Sequence, residues 1–264
     1  MPDRRGFTLI ELLAAVAVFA LVLILLSQIA SHTLQTTRTV TQQMDATQRA
    51  RAVLDALAVD LEGLAAENGL TLFAKTTASN TELAFLTQTR GPSGVAGFRN
   101  MAVVYRLENG ELVRRGAEVT WEQSDLVNRI VGAASSPDPS VIAPGILRFE
   151  AVAVLENGDV VPVTQAGTGS LFGRAIPDGF VGLPLHPADA PSRVVGLIVA
   201  VAALDSQSLR LPGAAEIGAL LPSPTVGETP LEAWTKAVSA GELGGIPRPA
   251  VSALQIAQRS FSLK

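Results

Sequence analysis

Few residues in this chain combine a type and a spacing that could do chemistry. The two histidines, His32 and His186, are far apart and stand in no metal-ligand spacing. His32 reads as a solvated residue near a membrane surface and His186 as a loop residue. There is no cysteine, which removes disulfides, thiol catalysis and thiolate metal sites. No Gly-x-Ser-x-Gly elbow and no Gly-x-x-x-x-Gly-Lys-Ser/Thr loop occurs. The stretch "GTGSLFG" has the flavour of a phosphate loop but lacks the lysine and the strand-to-helix setting. Among the 24 acids no pair is marked out for acid–base work. Asp138, and Asp178 with Asp189, come nearest to a cation loop, without the dense acidic spacing that calcium needs. No metal, no cofactor and no enzymatic activity are expected. Arg114-Arg115 reads as a solvated strand end rather than an anion site. One ionisable residue is out of place, and it is Glu11.

Glu11 lies inside an apolar run. From Phe7 to Leu26 only Thr8 and Glu11 are not apolar, and Leu12 to Leu26 holds no polar side chain. A run of about 20 such residues crosses a bilayer as a helix. A carboxylate there costs on the order of a few kcal/mol even on lenient scales. Arg4 and Arg5 precede the run, as in a secretory signal. However, the run exceeds a typical signal core, and "SQIASH" is a poor cleavage site. A retained anchor is the better reading, with the arginines kept cytoplasmic and the bulk of the chain exported.

"RRGFTLIELLAAVAVFALVLILL" resembles the class III signal of type IV pilins and type II secretion pseudopilins. Arg4, Arg5, Gly6, Phe7, Thr8, Leu9, Ile10, Glu11 and Leu12 supply every element of that pattern. The resemblance implies cleavage after Gly6 by a prepilin peptidase and methylation of the new amino group of Phe7. It also gives Glu11 a reason. The freed Phe7 amine is cationic near neutral pH, and Glu11 lies about one helical turn away. Each charge alone is costly in lipid, whereas a pair offsets much of that cost. In a stack of helices the Glu11 of one subunit can meet the Phe7 amine of the next, which fixes axial register. The competing reading is a carboxylate that snorkels to the headgroups or is protonated.

The elements behind this head follow from periodicity. Five threonines between Thr33 and Thr41 predict a neck that is bent or partly unwound. Leu54, Leu57, Leu61 and Leu64 then mark an amphipathic stripe. "ENG" at Glu67–Gly69 is a plausible stop, so one helix is expected from Phe7 to about Ala66. "ELAFLTQT", "MAVVYRLENGELVRRG", "ILRFEAVAVLENGDVVPV" and "RVVGLIVAVAALD" read as strands, with Asn109-Gly110 and Asn157-Gly158 as two I′-type hairpin turns. "SSPDPSVIAPG" and the glycine- and proline-dense 166–192 read as loops. Between Leu209 and Pro249 short helices are broken by prolines. One starts at a capping box, Thr229-Pro230-Leu231-Glu232, with Leu231, Trp234 and Val238 on one face. The tail is read as a final strand. The fold class is α+β and, by the resemblance, pilin-like: a long N-terminal helix, membrane-spanning in its first half, on an antiparallel sheet with one face partly wet.

The organisation expected is a leader at 1–6, a transmembrane helix at 7–27 and an external half of the helix at 28–66. A β domain at 67–205 carries the insertion 166–192, and short helices with a last strand fill 206–264. The chain has 264 residues, 48% of them hydrophobic, so more than two hundred remain behind the span, enough for one sizeable soluble domain, with or without a lobe. A net charge of −4 argues against a nucleic-acid partner.

"RAVLDALAVDLEGL" with its Asp60-Leu61 step, "ELAFLTQTR" and "VVYRLENGELVRR" are similar to the J-type minor pseudopilin of type II secretion and to the W-type minor pilin of type IV pili. That resemblance implies a non-catalytic subunit at or near the tip of a short periplasmic filament. Its partners would be other major and minor pseudopilins, the prepilin peptidase, the inner-membrane secretion platform and the lipid bilayer. Its place would be the inner membrane, single-pass, N-terminus cytoplasmic and C-terminal domain periplasmic. The rival class is a membrane-anchored periplasmic binding or adhesin domain that shares the signal.

Overall fold

A computed structural model describes residues 9–64, 72–77, 80–90, 98–119, 126–136, 139–167, 170–171, 174–185 and 193–263. Gly6 and Phe7, the "ENG" stop, His186, Asp138 and Asp189 lie outside the described residues. The contacts divide the chain into two compact units, one up to Gln42 and one from Gln43 onward.

The first unit is helical. Helix α1 (Leu9–Glu62) begins in it and continues into the second unit. The threonine-rich neck is helical throughout, which corrects the expectation of an unwound segment. Thr33, Thr36, Thr37 and Thr41 donate to the carbonyls of Ile29, His32, Thr33 and Thr37, four residues back, at 2.9–3.0 Å. Propensity is a weak prior, and the neck lies within a 54-residue helix whose threonine hydroxyls bond back to its own carbonyls.

The second unit is a layered α+β domain. Its chain order is β1 (Leu72–Thr77), β2 (Asn80–Arg90), β3 (Phe98–Glu108), β4 (Glu111–Glu118), α2 (Leu126–Gly132), β5 (Ser140–Pro144), β6 (Ile146–Leu155), β7 (Val160–Pro162) and α3 (Val163–Ala166). There follow β8 (Ser170–Leu171), β9 (Arg174–Ala175), β10 (Val181–Gly182), β11 (Val194–Ala203), α4 (Ile217–Leu220), α5 (Pro230–Ala240), α6 (Arg248–Ala253) and β12 (Gln255–Ser262). Two main sheets form rather than one, ordered β10-β1-β2-β3-β4-β5 and β12-β11-β6-β7, and every pairing is antiparallel. The α+β class with a long N-terminal helix on antiparallel strands is therefore as expected. The proline loop "SSPDPSVIAPG" differs: its second half is edge strand β5, which pairs with β4 through a register shift. The insertion 166–192 likewise supplies β8, β9 and β10, the last paired with β1.

One core is shared by α1 and the inner faces of both sheets. Ala50, Val53, Leu54, Leu57, Ala58 and Leu61 of α1 meet Phe85, Val103 and Tyr105 of the first sheet and Phe149, Val199 and Val201 of the second. Each buried leucine is worth about 1.5–3 kcal/mol relative to exposure. Each outer face is largely covered, while Gln88 of β2 and Ser260 of β12 stay exposed on them. Ile130 of α2, with Ile176 and Phe180, covers Phe73, Leu86 and Val104. Ile217, Trp234 and Ala250 of the C-terminal helices cover Leu147, Ala200 and Ala202. Helix α5 begins with the expected capping box between Thr229 and Glu232, but its buried face is Pro230, Ala233, Trp234 and Ala237, with Leu231 at the surface.

The β3–β4 hairpin closes on Asn109 (φ 51°) and Gly110 (φ 78°), the left-handed pair that a type I′ turn requires. The second hairpin does not repeat this. Only Gly158 is left-handed, and the Leu155 and Gly158 N–H groups donate to Asp159 and Leu155 carbonyls across a longer loop. The Asn157 side chain takes the Asp159 N–H at 3.0 Å, which stabilises that alternative turn.

Candidate functional site

Glu11 sits in the first turn of α1 and is exposed, as are Leu9, Ile10, Leu12, Leu13 and the apolar side chains that follow to Leu26. Leu9–Leu34 is long and apolar enough to cross a membrane, and none of its most apolar window is buried by the protein. An apolar surface of this extent requires lipid or other helices as its solvent. A carboxylate in the first turn also meets the positive end of the helix dipole, a favourable term of about 0.3–1 kcal/mol.

At the other end of α1 the sequence carries an acid whose partners only the fold brings together. Asp60 is buried in the last turn of the helix. Tyr105 Oη donates to Asp60 Oδ2 at 2.6 Å. Arg114 Nε and Nη2 donate to Oδ2 and Oδ1 at 2.5 and 3.1 Å, a two-pronged pair. Tyr105 and Arg114 are cross-strand partners on β3 and β4, on the face turned towards α1. Thr87 Oγ1 on β2 donates to the Asp60 carbonyl at 2.7 Å, and the Gln88 N–H donates to the Gly63 carbonyl at 2.7 Å. Two carbonyls at the end of the helix, which no helical N–H can reach, are thereby satisfied by a strand. Gly63 is needed for the approach: a Cβ there would lie 2.6 Å from the Gln88 carbonyl oxygen and 2.7 Å from Thr87 Oγ1. Burial first, and then the Asp60 charge, push the Tyr105 phenol well above the ordinary tyrosine range. Burial pulls the Arg114 guanidinium down, but the Asp60 hydrogen bond and charge outweigh it, and the net shift is upward.

These three side chains are positions that carried the resemblance, without any role assigned to them. Their convergence was hidden because 54 positions separate Asp60 from Arg114. Arg114-Arg115 is accordingly not a solvated strand end. Arg115 donates to both Glu108 oxygens, at 2.9 and 3.0 Å, and to the Ser136 carbonyl, while Arg106 Nε shares Oε1 of Glu108 at 2.5 Å. The Arg115 hydrogen bond, with further help from Arg106, holds the Glu108 carboxyl down at about 2, against a burial effect that raises it. A third pair is Arg148 and Glu150 on β6, both almost fully buried, 2.8 Å apart. Arg148 also donates to Gly218 O at 3.0 Å and Ser223 Oγ at 2.7 Å, and Glu150 accepts from Thr81. Among the described residues no cluster of three or more histidines or acids could hold a metal ion, and Asp178 is exposed.

Residues 1–27 match the family model described as the prokaryotic N-terminal methylation motif. The chain carries a methylation motif. The match covers Arg4 to Phe7, Glu11 and the apolar run to Leu26, and it does not extend to the domain behind them. No curated protein matches the chain. Among solved structures the chain is similar to a type IV-like pilin from Thermus thermophilus, at 14% identity and a TM-score of 0.45, covering 82% of this chain and 94% of that one. The methylation motif thus takes in the exposed apolar side chains of α1 from Leu9 to Leu26, and the buried ion pair lies in the last turn of the same helix.

Proposed function

We propose that this chain is a minor pseudopilin of a type II secretion system, assembled at or near the tip of the periplasmic pseudopilus and aiding protein export. The observation that supports the reading is the exposed apolar half of α1, headed by Glu11, within the methylation motif. Prepilin peptidase would cut after Gly6 and methylate Phe7. Glu11 would then pair with the Phe7 amine of an adjoining subunit and set axial register. Other major and minor pseudopilins, the secretion platform and the bilayer are the partners in this reading. The chain would lie across the inner membrane with its N-terminus cytoplasmic and its domain periplasmic. The role is structural, with no catalytic step. A minor pilin of a type IV pilus would use the same head and the same helix. The "YRL" strand with its Leu-Val-Arg-Arg return, whose Tyr105 and Arg114 meet Asp60, resembles both subunit types and supports either reading.

Mass spectrometry of the membrane fraction tests processing. The mature protein should begin at a methylated Phe7, and an intact Met1 terminus in working assemblies overturns the proposal. Glu11→Ala should still insert and be cleaved, since the span becomes more apolar, yet enter the filament poorly. Normal secretion by that variant removes the register argument.

A further inference from the structure

Strands β11 and β12 are neighbours in the second sheet, but residues 204–254 lie between them in the chain. Ala203 and Gln255 are Cα partners, so this lobe leaves and rejoins the sheet at a single rung. Asp205 turns the chain out of the strand: its Oδ1 accepts the Gln207 and Ser208 N–H groups at 2.8 and 3.1 Å. The lobe, which carries α4, α5 and α6, then folds back over the outer face of β6 and β11.

Much of what holds the lobe together is its own. Ile217, Leu221, Ala233, Trp234, Leu243 and Ala250 pack into one cluster, and Trp234 Nε1 donates to the Pro222 carbonyl at 3.0 Å. To the buried part of that cluster β6 and β11 contribute only Leu147, Ala200 and Ala202. The same face carries a charge pair, since Arg148 and Glu150 stand opposite Ala202 and Ala200. Water covers alanines and an ion pair at little cost, so uncovering this face forfeits far less than uncovering the core shared with α1. A cleft of about 500 Å³ is lined by Leu209, Ala215 and Ala219 of the lobe and by Leu107, Pro144 and Ile146 of the sheets. Packing across the seam is incomplete there.

We propose that residues 204–254 form a lid that swings out as one body about the Ala203–Gln255 rung while both sheets stay folded, and that Arg148 is its latch. Glu150 takes Arg148 Nε and Nη2 at 3.0 and 2.8 Å and so fixes the guanidinium on the sheet, while Thr81 donates to Glu150 at 3.3 Å. The rest of the guanidinium reaches the lid: Nη1 donates to the Gly218 carbonyl at 3.0 Å and Nη2 to Ser223 Oγ at 2.7 Å. Gly218 permits the closed fit, because a Cβ there would lie 2.1 Å from the Leu147 carbonyl oxygen. Two neutral bonds also cross the seam, from the Gly227 N–H to the Val160 carbonyl at 2.8 Å and from the Leu231 N–H to Gln258 Oε1 at 3.0 Å. Hydrogen bonds from a charged donor are the stronger kind, so one residue carries much of what must break. Opening hydrates Arg148 and Glu150 together and strands neither charge. The motion is a sub-global opening of the folded chain, rarer than fraying and commoner than unfolding.

The chain has no cysteine, so a single introduced thiol reports its own exposure. Ala202→Cys places one under the lid and Ala153→Cys one in the core shared with α1, and both positions are 0% exposed. The full chain in detergent, well below its urea transition, is labelled with a thiol reagent kept dilute, so that the rate reads the open population. Ala202→Cys should label at least about tenfold faster than Ala153→Cys. Ala200→Cys, also under the lid, should behave like Ala202→Cys, which separates lid motion from damage at one site. Adding Ser223→Ala removes one bond from the latch to the lid and leaves the Arg148–Glu150 pair intact. It should speed labelling under the lid about tenfold and leave Ala153→Cys within about twofold. Equal rates at all three positions, or rates under the lid that Ser223→Ala does not change, overturn the lid.

Discussion

Asp60→Ala is the sharpest test of how α1 is held to its domain. Its side chain is 7% exposed and its two partners differ in what they can do once it is gone. Tyr105 is fully buried, so its hydroxyl would be stranded, at a cost of about 1–3 kcal/mol. Arg114 is 22% exposed and can turn partly to water, so it falls short of the about 3–5 kcal/mol seen when a fully buried pair is broken. Together these give a loss of about 3 kcal/mol, or about 6–12 °C in melting temperature for a domain of this size. Urea unfolding of the full chain in detergent, followed by the fluorescence of buried Trp234, measures it. Tyr105→Phe should cost only about 1 kcal/mol, because it removes the donor without leaving an unpaired hydroxyl. Asp55→Ala is the control: that acid faces Arg259 at 73% and 45% exposure, and its loss should stay within about 0.5 kcal/mol. Asp60→Ala and Arg114→Ala together should fall short of additivity by about 1–3 kcal/mol. A loss below about 1 kcal/mol for Asp60→Ala, or strict additivity, refutes the clamp.

Other perturbations probe the remaining contacts. Gly63→Ala forces a Cβ against Gln88 and Thr87 and should cost about 1–3 kcal/mol in the same urea titration. Glu150→Met strands the buried Arg148, at about 3–5 kcal/mol, and adding Arg148→Met should recover much of the loss, read as a double-mutant cycle. The Glu108 carboxyl lies below its unfolded value of 4.5, so its contribution is present above that value and fades as pH falls towards about 2. Glu108→Gln should therefore flatten the acid limb of a stability–pH curve. Thr229→Ala removes the cap of α5 and should cost about 0.5–2 kcal/mol by thermal melting.

Much of this molecule is legible from local pattern, and the exceptions share a cause. The Asn109-Gly110 turn and the Thr229 capping box each rest on interactions within a few residues and appear where the pattern puts them, whereas the leucine stripe holds for Leu54, Leu57 and Leu61 only, since α1 ends at Glu62 and Leu64 bridges Thr87 instead. Threonine propensity misled at the neck because it is a weak prior, overridden here within a helix of 54 residues. Asn157-Gly158 has the composition of Asn109-Gly110, but the Asn157 amide bonds Asp159 and selects another turn. Proline hid β5, since an edge strand tolerates the missing N–H. The Asp60 cluster and the Arg148–Glu150 pair were beyond reach for another reason. Alternation places Tyr105 and Arg114 on one face, but which acid they meet depends on how a helix lands on a sheet.

The two acids at the ends of α1 pose one electrostatic problem in two settings. Asp60 is buried by protein, and the same chain supplies its cation from a strand 54 residues on. Its pairing is thus complete when the domain folds, and it needs nothing from a neighbour. Glu11 lies on a surface that the domain does not cover, among side chains such as Leu9 and Ile10 that are 78% and 74% exposed. Lipid can solvate those leucines but offers a carboxylate little. In the proposed assembly, the Phe7 amine of a similar helix alongside would meet Glu11 between subunits, as Arg114 meets Asp60 within one. A span in which Glu11→Ala assembles normally while Asp60→Ala unfolds the domain would break that parallel and leave only the clamp.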